Sequence, residues 1–168
     1  RRSSDLTVTG LPKAKYYTAK AIKPALTLKY GTKTLKAGTD YTIAYKNNKA
    51  IGKATITLKG KGNFSGTVTL NFKIIPKKTT LKTATSPKTK QLKVTYSKVA
   101  NITGYQIVYS TSSDFSKNKI SVNTKATSKT ISSLTKGKTY YVKVRTYKTV
   151  SGTKYYSGYS AVKKVKIK

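Results

Sequence analysis

Leu134-Thr-Lys-Gly-Lys-Thr-Tyr-Tyr-Val-Lys-Val-Arg-Thr-Tyr147 decides the fold of this chain. A leucine is followed by a polar turn around Gly137, and then by strict alternation. Tyr140, Val142 and Val144 fall on one side, and Tyr141, Lys143 and Arg145 on the other. Period two is the signature of a half-buried strand, whereas a helix would repeat its apolar positions every three to four residues. The same pattern runs upstream through Leu92, Val94 and Tyr96, and again through Tyr105, Ile107 and Tyr109. Turn signals stand at Pro87, Gly104, Asp114, Gly137 and Gly152. Strands at this spacing, with no helical stretch between them, predict a small antiparallel sandwich.

The first half of the chain repeats the logic. Leu26, Leu28 and Tyr30 alternate with polar residues, as do Tyr41, Ile43 and Tyr45, then Ala54, Ile56 and Leu58, then Val68, Leu70, Phe72 and Ile74. Gly31, Gly38, Asn47-Asn48, Gly60, Gly62 and Gly66 punctuate them. Ile75-Pro76-Lys77-Lys78 ends this series, because proline has no N–H to give a ladder. The fold class expected is therefore all-β, with two tandem antiparallel β-sandwiches, residues 1–76 and residues 77–168. Each has one buried face per strand and an outer face of lysine and threonine.

The Leu134 to Tyr140 spacing resembles the tyrosine corner of fibronectin type III domains, where the phenol bonds backbone at a strand corner. Gln91–Tyr96, Gly104–Ser110 and Tyr140–Tyr147 resemble strands B, C and F of that family, and Tyr155–Val165 its last strand with a bulge where it begins. The family usually carries Trp where Tyr96 stands, and its bacterial copies often have Trp at Tyr159. The first half resembles a bacterial immunoglobulin-like module. That resemblance rests on Tyr17-Thr-Ala-Lys-Ala-Ile-Lys-Pro24, Leu35-Lys-Ala-Gly-Thr-Asp-Tyr-Thr-Ile-Ala-Tyr45, Lys46-Asn-Asn-Lys49 and Gly60-Lys-Gly-Asn-Phe-Ser-Gly66. The pair of resemblances implies an extracellular, secreted or cell-surface setting, as part of a larger surface protein of a Gram-positive gut anaerobe. It implies an immunoglobulin-like sandwich followed by a fibronectin type III-like one, with Leu134, Tyr140 and Tyr96 in structural roles.

Composition sharpens what the chain can do. Of its 168 residues, Lys and Arg supply 36 and Asp and Glu only 3, for a formal charge of +33. The carboxylates are Asp5, Asp40 and Asp114, far apart in the chain, and Glu, His, Cys, Met and Trp are absent. General acid–base catalysis draws on groups that titrate near the working pH, usually histidine or a tuned carboxylate. A glycosidase needs paired carboxylates, and the common zinc, haem and iron–sulfur ligands are His and Cys. Calcium would want clustered carboxylates. The expectation is no enzyme, no metal and no cofactor. No apolar run reaches the roughly 18 residues of a membrane-spanning helix. A coat of this sign attracts polyanions, so the expected partners are anionic cell-wall polymers or acidic glycans, with nonspecific nucleic acid as an alternative.

Three local features invite sharper readings. Asp40, before the Tyr41 strand, reads as a turn carboxylate; an isopeptide catalyst would need an inward Asn, and Asn71 falls on the outward phase of its strand. Gly60 to Gly66 lacks the Gly-Lys-Ser/Thr ending of a phosphate loop and reads as a hairpin turn. On the outward phase, Tyr141, Lys143 and Arg145, joined by Tyr155 and Tyr156 from the next strand, form a candidate binding face. It could stack on sugars or bases while holding an anion, against the plainer reading of cross-strand pairing on a solvated face.

Overall fold

The computed structural model describes residues 5–168, and they are built from strands, turns and loops. Among them no helix is long and apolar enough to cross a membrane. They divide into two compact units, one ending at Ile75 and the other running Pro76–Lys168.

The first unit packs a three-stranded sheet on a four-stranded one. β1 (Leu6–Thr9), β3 (Thr27–Tyr30) and β4 (Lys33–Thr34) form the smaller sheet in the order β1-β3-β4. β2 (Ala14–Tyr16), β5 (Tyr41–Lys46), β6 (Gly52–Gly60) and β7 (Thr67–Ile75) form the larger one in the order β2-β7-β6-β5. Every pairing is antiparallel except β2 with β7, where Ala14 lies opposite Lys73 in parallel register. The inward phases are those legible in the sequence: Leu28, Tyr41, Ala54, Ile56, Leu58, Phe72 and Ile74 are buried. Burying each large apolar side chain contributes roughly 1.5–3 kcal/mol relative to leaving it in water. The β6–β7 turn closes on the bond from Gly60 N–H to the Gly66 carbonyl, at 2.9 Å. A Cβ on Gly60 would lie 2.7 Å from the Phe64 carbonyl group and the Ser65 nitrogen, so only glycine fits there.

In the second unit, β8 (Leu81–Thr85), β9 (Leu92–Tyr96) and β12 (Ser128–Ile131) form a sheet in the order β12-β9-β8. β10 (Gly104–Ser110), β11 (Ile120–Thr124), β13 (Thr139–Val150), β14 (Thr153–Tyr156) and β15 (Lys163–Lys166) form the facing sheet. There β13 pairs β10 on one side and both β14 and β15 on the other. Leu92, Val94 and Tyr96 from one sheet meet Tyr105, Ile107, Tyr109, Tyr140, Val142 and Val144 from the other in one core. The described residues are thus all-β and form two β-sandwiches, antiparallel throughout except for β2 with β7.

Gly104, a turn signal that also opens the stretch resembling strand C, is the first residue of β10 and is buried. A Cβ there would meet the Thr124 carbonyl oxygen at 2.9 Å and the Tyr147 ring at 3.0–3.2 Å. The glycine therefore serves close packing of an aromatic ring against the backbone, one of the standard reasons for glycine within a strand.

Candidate functional site

The outward phase of β13 presents Tyr141, Lys143, Arg145 and Tyr147. On the neighbouring strand the register sets Ser110, Val108, Gln106 and Gly104 opposite them. Arg145 sits at the centre. Its guanidinium carbon lies 3.7 Å from the ring centroid of Tyr156 and 4.6 Å from that of Tyr159. Its Nε–H donates to Gln106 Oε1 at 2.7 Å. The Lys143 ammonium is 4.1 Å from the centroids of both Tyr159 and Phe115. Phe115, Lys143, Tyr159, Arg145 and Tyr156 therefore alternate ring and cation along one line. Tyr147 stands beside it, 6.0 Å from Tyr156. Each cation–ring contact is worth about 0.5–2 kcal/mol, rising as water is excluded.

Two anchors hold the rings of this ladder. The first is Tyr156-Ser157-Gly158-Tyr159-Ser160, which interrupts the last strand between β14 and β15. Ser157 N–H donates to the Thr146 carbonyl at 3.0 Å, and Thr146 N–H returns a bond to Ser157 Oγ at 2.9 Å. Ser160 repeats the exchange with Val144, at 2.8 and 3.0 Å. Hydroxyls thus replace the carbonyls that a continuous strand would offer to β13. Each serine is preceded by a tyrosine, Tyr156 or Tyr159, delivered to Arg145. The second anchor is the loop from Ser110 to Asn118. Ser110 Oγ donates to the Lys117 carbonyl, and Asp114 Oδ1 accepts from Ser116 N–H at 3.1 Å and from its hydroxyl at 2.6 Å. Those Ser116 bonds hold the Asp114 carboxyl below its ordinary range. The loop delivers Phe115, itself buried, over Lys143. Burial first, then the charges of Lys119 and Arg145, lower the Lys143 ammonium pKa.

This geometry amends the binding face expected from sequence. Lys143, Arg145 and Tyr156 come together. Tyr155 does not, because it pairs with Lys148, on the opposite face of the sheet from Arg145. Neighbours along a strand point to opposite sides, so Tyr155 and Tyr156 cannot share a face. Tyr141 shares the phase but lies further along, with Thr139, Lys164 and Lys166 around a shallow open surface. Phe115 and Tyr159 belong to the ladder, and the sequence reading left both out of the face. The repeated Tyr-Ser at 156–157 and 159–160 is a legible signal for Tyr159. Phe115 sits in a loop outside any periodic pattern and gave none.

The residues expected to be structural are placed as follows. The Tyr140 hydroxyl accepts the Thr135 N–H at 3.1 Å, spanning the corner, and Leu134 is buried beneath it. Asp40 Oδ2 accepts the Lys36 N–H at 2.8 Å, a turn bond. Asn71 is exposed and its Oδ1 accepts from Thr55. Tyr96 donates to the Ala126 carbonyl at 2.5 Å, with its ring 4.6 Å from that of Tyr105.

Burial, and secondarily Tyr105, push the Tyr96 phenol far above its ordinary 10.0. Burial and Tyr140 also raise Tyr109. A raised folded pKa means that this contribution to stability is complete below about pH 10 and is lost as pH rises toward the folded value. In an alkaline titration followed by phenolate absorbance, Tyr96 contributes a late step above the ordinary phenol range, and Tyr96→Phe diminishes that step. A late step of unchanged amplitude in that variant would contradict this assignment.

Among the described residues no group of three or more His, Cys, Asp or Glu side chains could hold a metal ion. No protein-family model matches the chain, and no curated protein matches it. Solved structures do. One is the crystal structure of chicken CNTN1 FN1-FN3 domains, at 16% identity and a TM-score of 0.46, covering 96% of this chain. This chain covers 66% of that structure's length.

Proposed function

We propose that this chain is a non-catalytic spacer region of a larger extracellular bacterial surface protein, secreted or cell-wall associated, whose cationic coat adheres to anionic wall polymers such as teichoic acids. The observation that carries this reading is the uncompensated charge. Three carboxylates face 36 cations, and each carboxylate accepts a bond from its own unit: Asp5 from the Tyr30 hydroxyl, Asp40 from Lys36 N–H and Asp114 from Ser116. The lysines meanwhile occupy outward, exposed strand positions such as Lys29, Lys53, Lys59, Lys73, Lys93 and Lys163. Stacking of Arg145 and Lys143 within the ladder favours this coat over the neutral-glycan reading of the Tyr face.

Sedimentation with isolated Gram-positive cell walls, with and without teichoic acid, tests it across a salt series. If six or more anionic groups are engaged, affinity falls by on the order of a thousandfold between about 50 and 200 mM salt, by analogy with phosphate-polymer binding. Association that persists at high salt, or that ignores removal of teichoic acid, would overturn the wall-adhesion reading. Equal competition by duplex DNA would instead favour a nonspecific polyanion binder.

A further inference from the structure

The loop after β2 builds a cup that the strand pattern does not foretell. Tyr17 N–H donates to the Ile75 carbonyl at 2.8 Å, tying the start of the loop to the end of β7. Ile22 and Asn48 exchange two bonds: Ile22 N–H to the Asn48 carbonyl at 2.8 Å, and Asn48 Nδ2 to the Ile22 carbonyl at 3.0 Å. Between these anchors Ala19 takes φ +64°, a left-handed conformation that costs a non-glycine residue on the order of 1–2 kcal/mol. The Thr18 hydroxyl accepts from Lys20 N–H across that turn. Pro24, buried, closes the loop. A turn so pinned and strained is preorganised, and such strain concentrates at functional positions.

The loop borders an open surface concavity of about 490 Å³. Lys15, Lys20 and Lys23 line it, with Tyr16 and Thr18, and no carboxylate does. Lys23 also lies 5.5 Å from the Tyr45 ring, which steadies its stem. Tyr16 is 43% exposed, one of the few large apolar side chains left in water. An exposed ring beside three like charges is well matched to one ligand chemistry. The ring covers the apolar face of a pyranose, and the ammonium groups take its anionic substituent.

We infer that this cup, Lys15, Tyr16, Lys20 and Lys23, is a binding site for an anionic pyranose residue, whether its charge is carboxylate or phosphate. The inference deepens the polyanion-adhesion reading and rests on it: the coat gathers the polymer, and the cup seats one of its residues.

The test titrates the whole chain with a galacturonate trimer, its neutral methyl ester and glucose 6-phosphate at low salt. Amide chemical shifts follow the site and calorimetry the affinity. Lys15→Gln/Lys20→Gln/Lys23→Gln is compared with the charge-matched Lys129→Gln/Lys163→Gln/Lys166→Gln in the second unit. The cup triple weakens binding of an anionic probe by about tenfold or more, as loss of three local charges should. The control triple, which removes the same charge outside the cup, stays within about twofold. Tyr16→Ala loses binding and Tyr16→Phe keeps it. The probe that binds tells whether carboxylate or phosphate is preferred. Equal weakening by both triples overturns the cup while leaving the coat reading intact. Equal binding of the methyl ester overturns the charge requirement, and with it the cup as proposed. Absence of binding to either anion at low salt overturns the cup and removes support from the coat reading as well. Every substituted position is exposed except Lys129, which is half-buried, and thermal midpoints confirm that each variant folds.

Discussion

Ser157→Ala combined with Ser160→Ala lowers the stability of the second sandwich by about 2–6 kcal/mol, at about 1–3 kcal/mol for each buried N–H left without an acceptor. The N–H groups of Thr146 and Val144 point at the two hydroxyls, and both of these β13 residues are fully buried. Water cannot replace the lost acceptors without opening the sheet. The replacement alanines keep their own N–H bonds to the Thr146 and Val144 carbonyls, so the loss is confined to the hydroxyl side of each exchange. Urea unfolding gives the global effect, and amide exchange at Val144 and Thr146 gives the local one. Ser160→Thr, which retains a hydroxyl, recovers much of the protection at Val144. A double variant within about 0.5 kcal/mol of the parent, the range of ordinary surface substitutions, would show that the hydroxyls are dispensable.

The second large effect is at Arg145. Truncation to alanine removes two ring contacts, at about 0.5–2 kcal/mol each, and a hydrogen bond to a charged group worth about 1.5–3 kcal/mol. The sum is offset in part, because Lys143 loses a like-charged neighbour. We expect a loss of about 2–4 kcal/mol. Arg145→Lys does not restore it, because an ammonium can neither stack flat between two rings nor hold the Nε bond to Gln106. Tyr156 and Tyr159 gain exposure in the variant, which solvent quenching of tyrosine fluorescence reports. The opposite pattern, unchanged stability with loss of affinity for a neutral glycan, would restore the outward face as a ligand platform and refute the ladder as internal packing.

Most of the architecture was legible in the residues. The apolar phases of β3, β5, β6, β7, β9, β10 and β13 follow from alternation alone, because a half-buried sheet can hide only every second side chain. The hairpin from Gly60 to Gly66 was legible too, through glycine spacing. What periodicity could not reach was the outward face. Alternation says that Lys143 and Arg145 point away from the core, yet leaves open whether they meet water, ligand or protein. Gly104 shows the same limit, since turn and close packing select the same residue type.

The sequence by itself determined the all-β class, the positions of most strands and the charge that bounds the partners. These are properties of neighbouring residues and of composition, so no long-range information is needed to read them. Only the tertiary structure decided that Tyr155 leaves the candidate face, that Phe115 and Tyr159 enter it, and that Lys15, Tyr16, Lys20 and Lys23 line one cup. Each depends on register or loop closure between segments distant in sequence. A shift of one residue in register reverses every side chain, and local pattern carries no record of which distant backbone closes a loop.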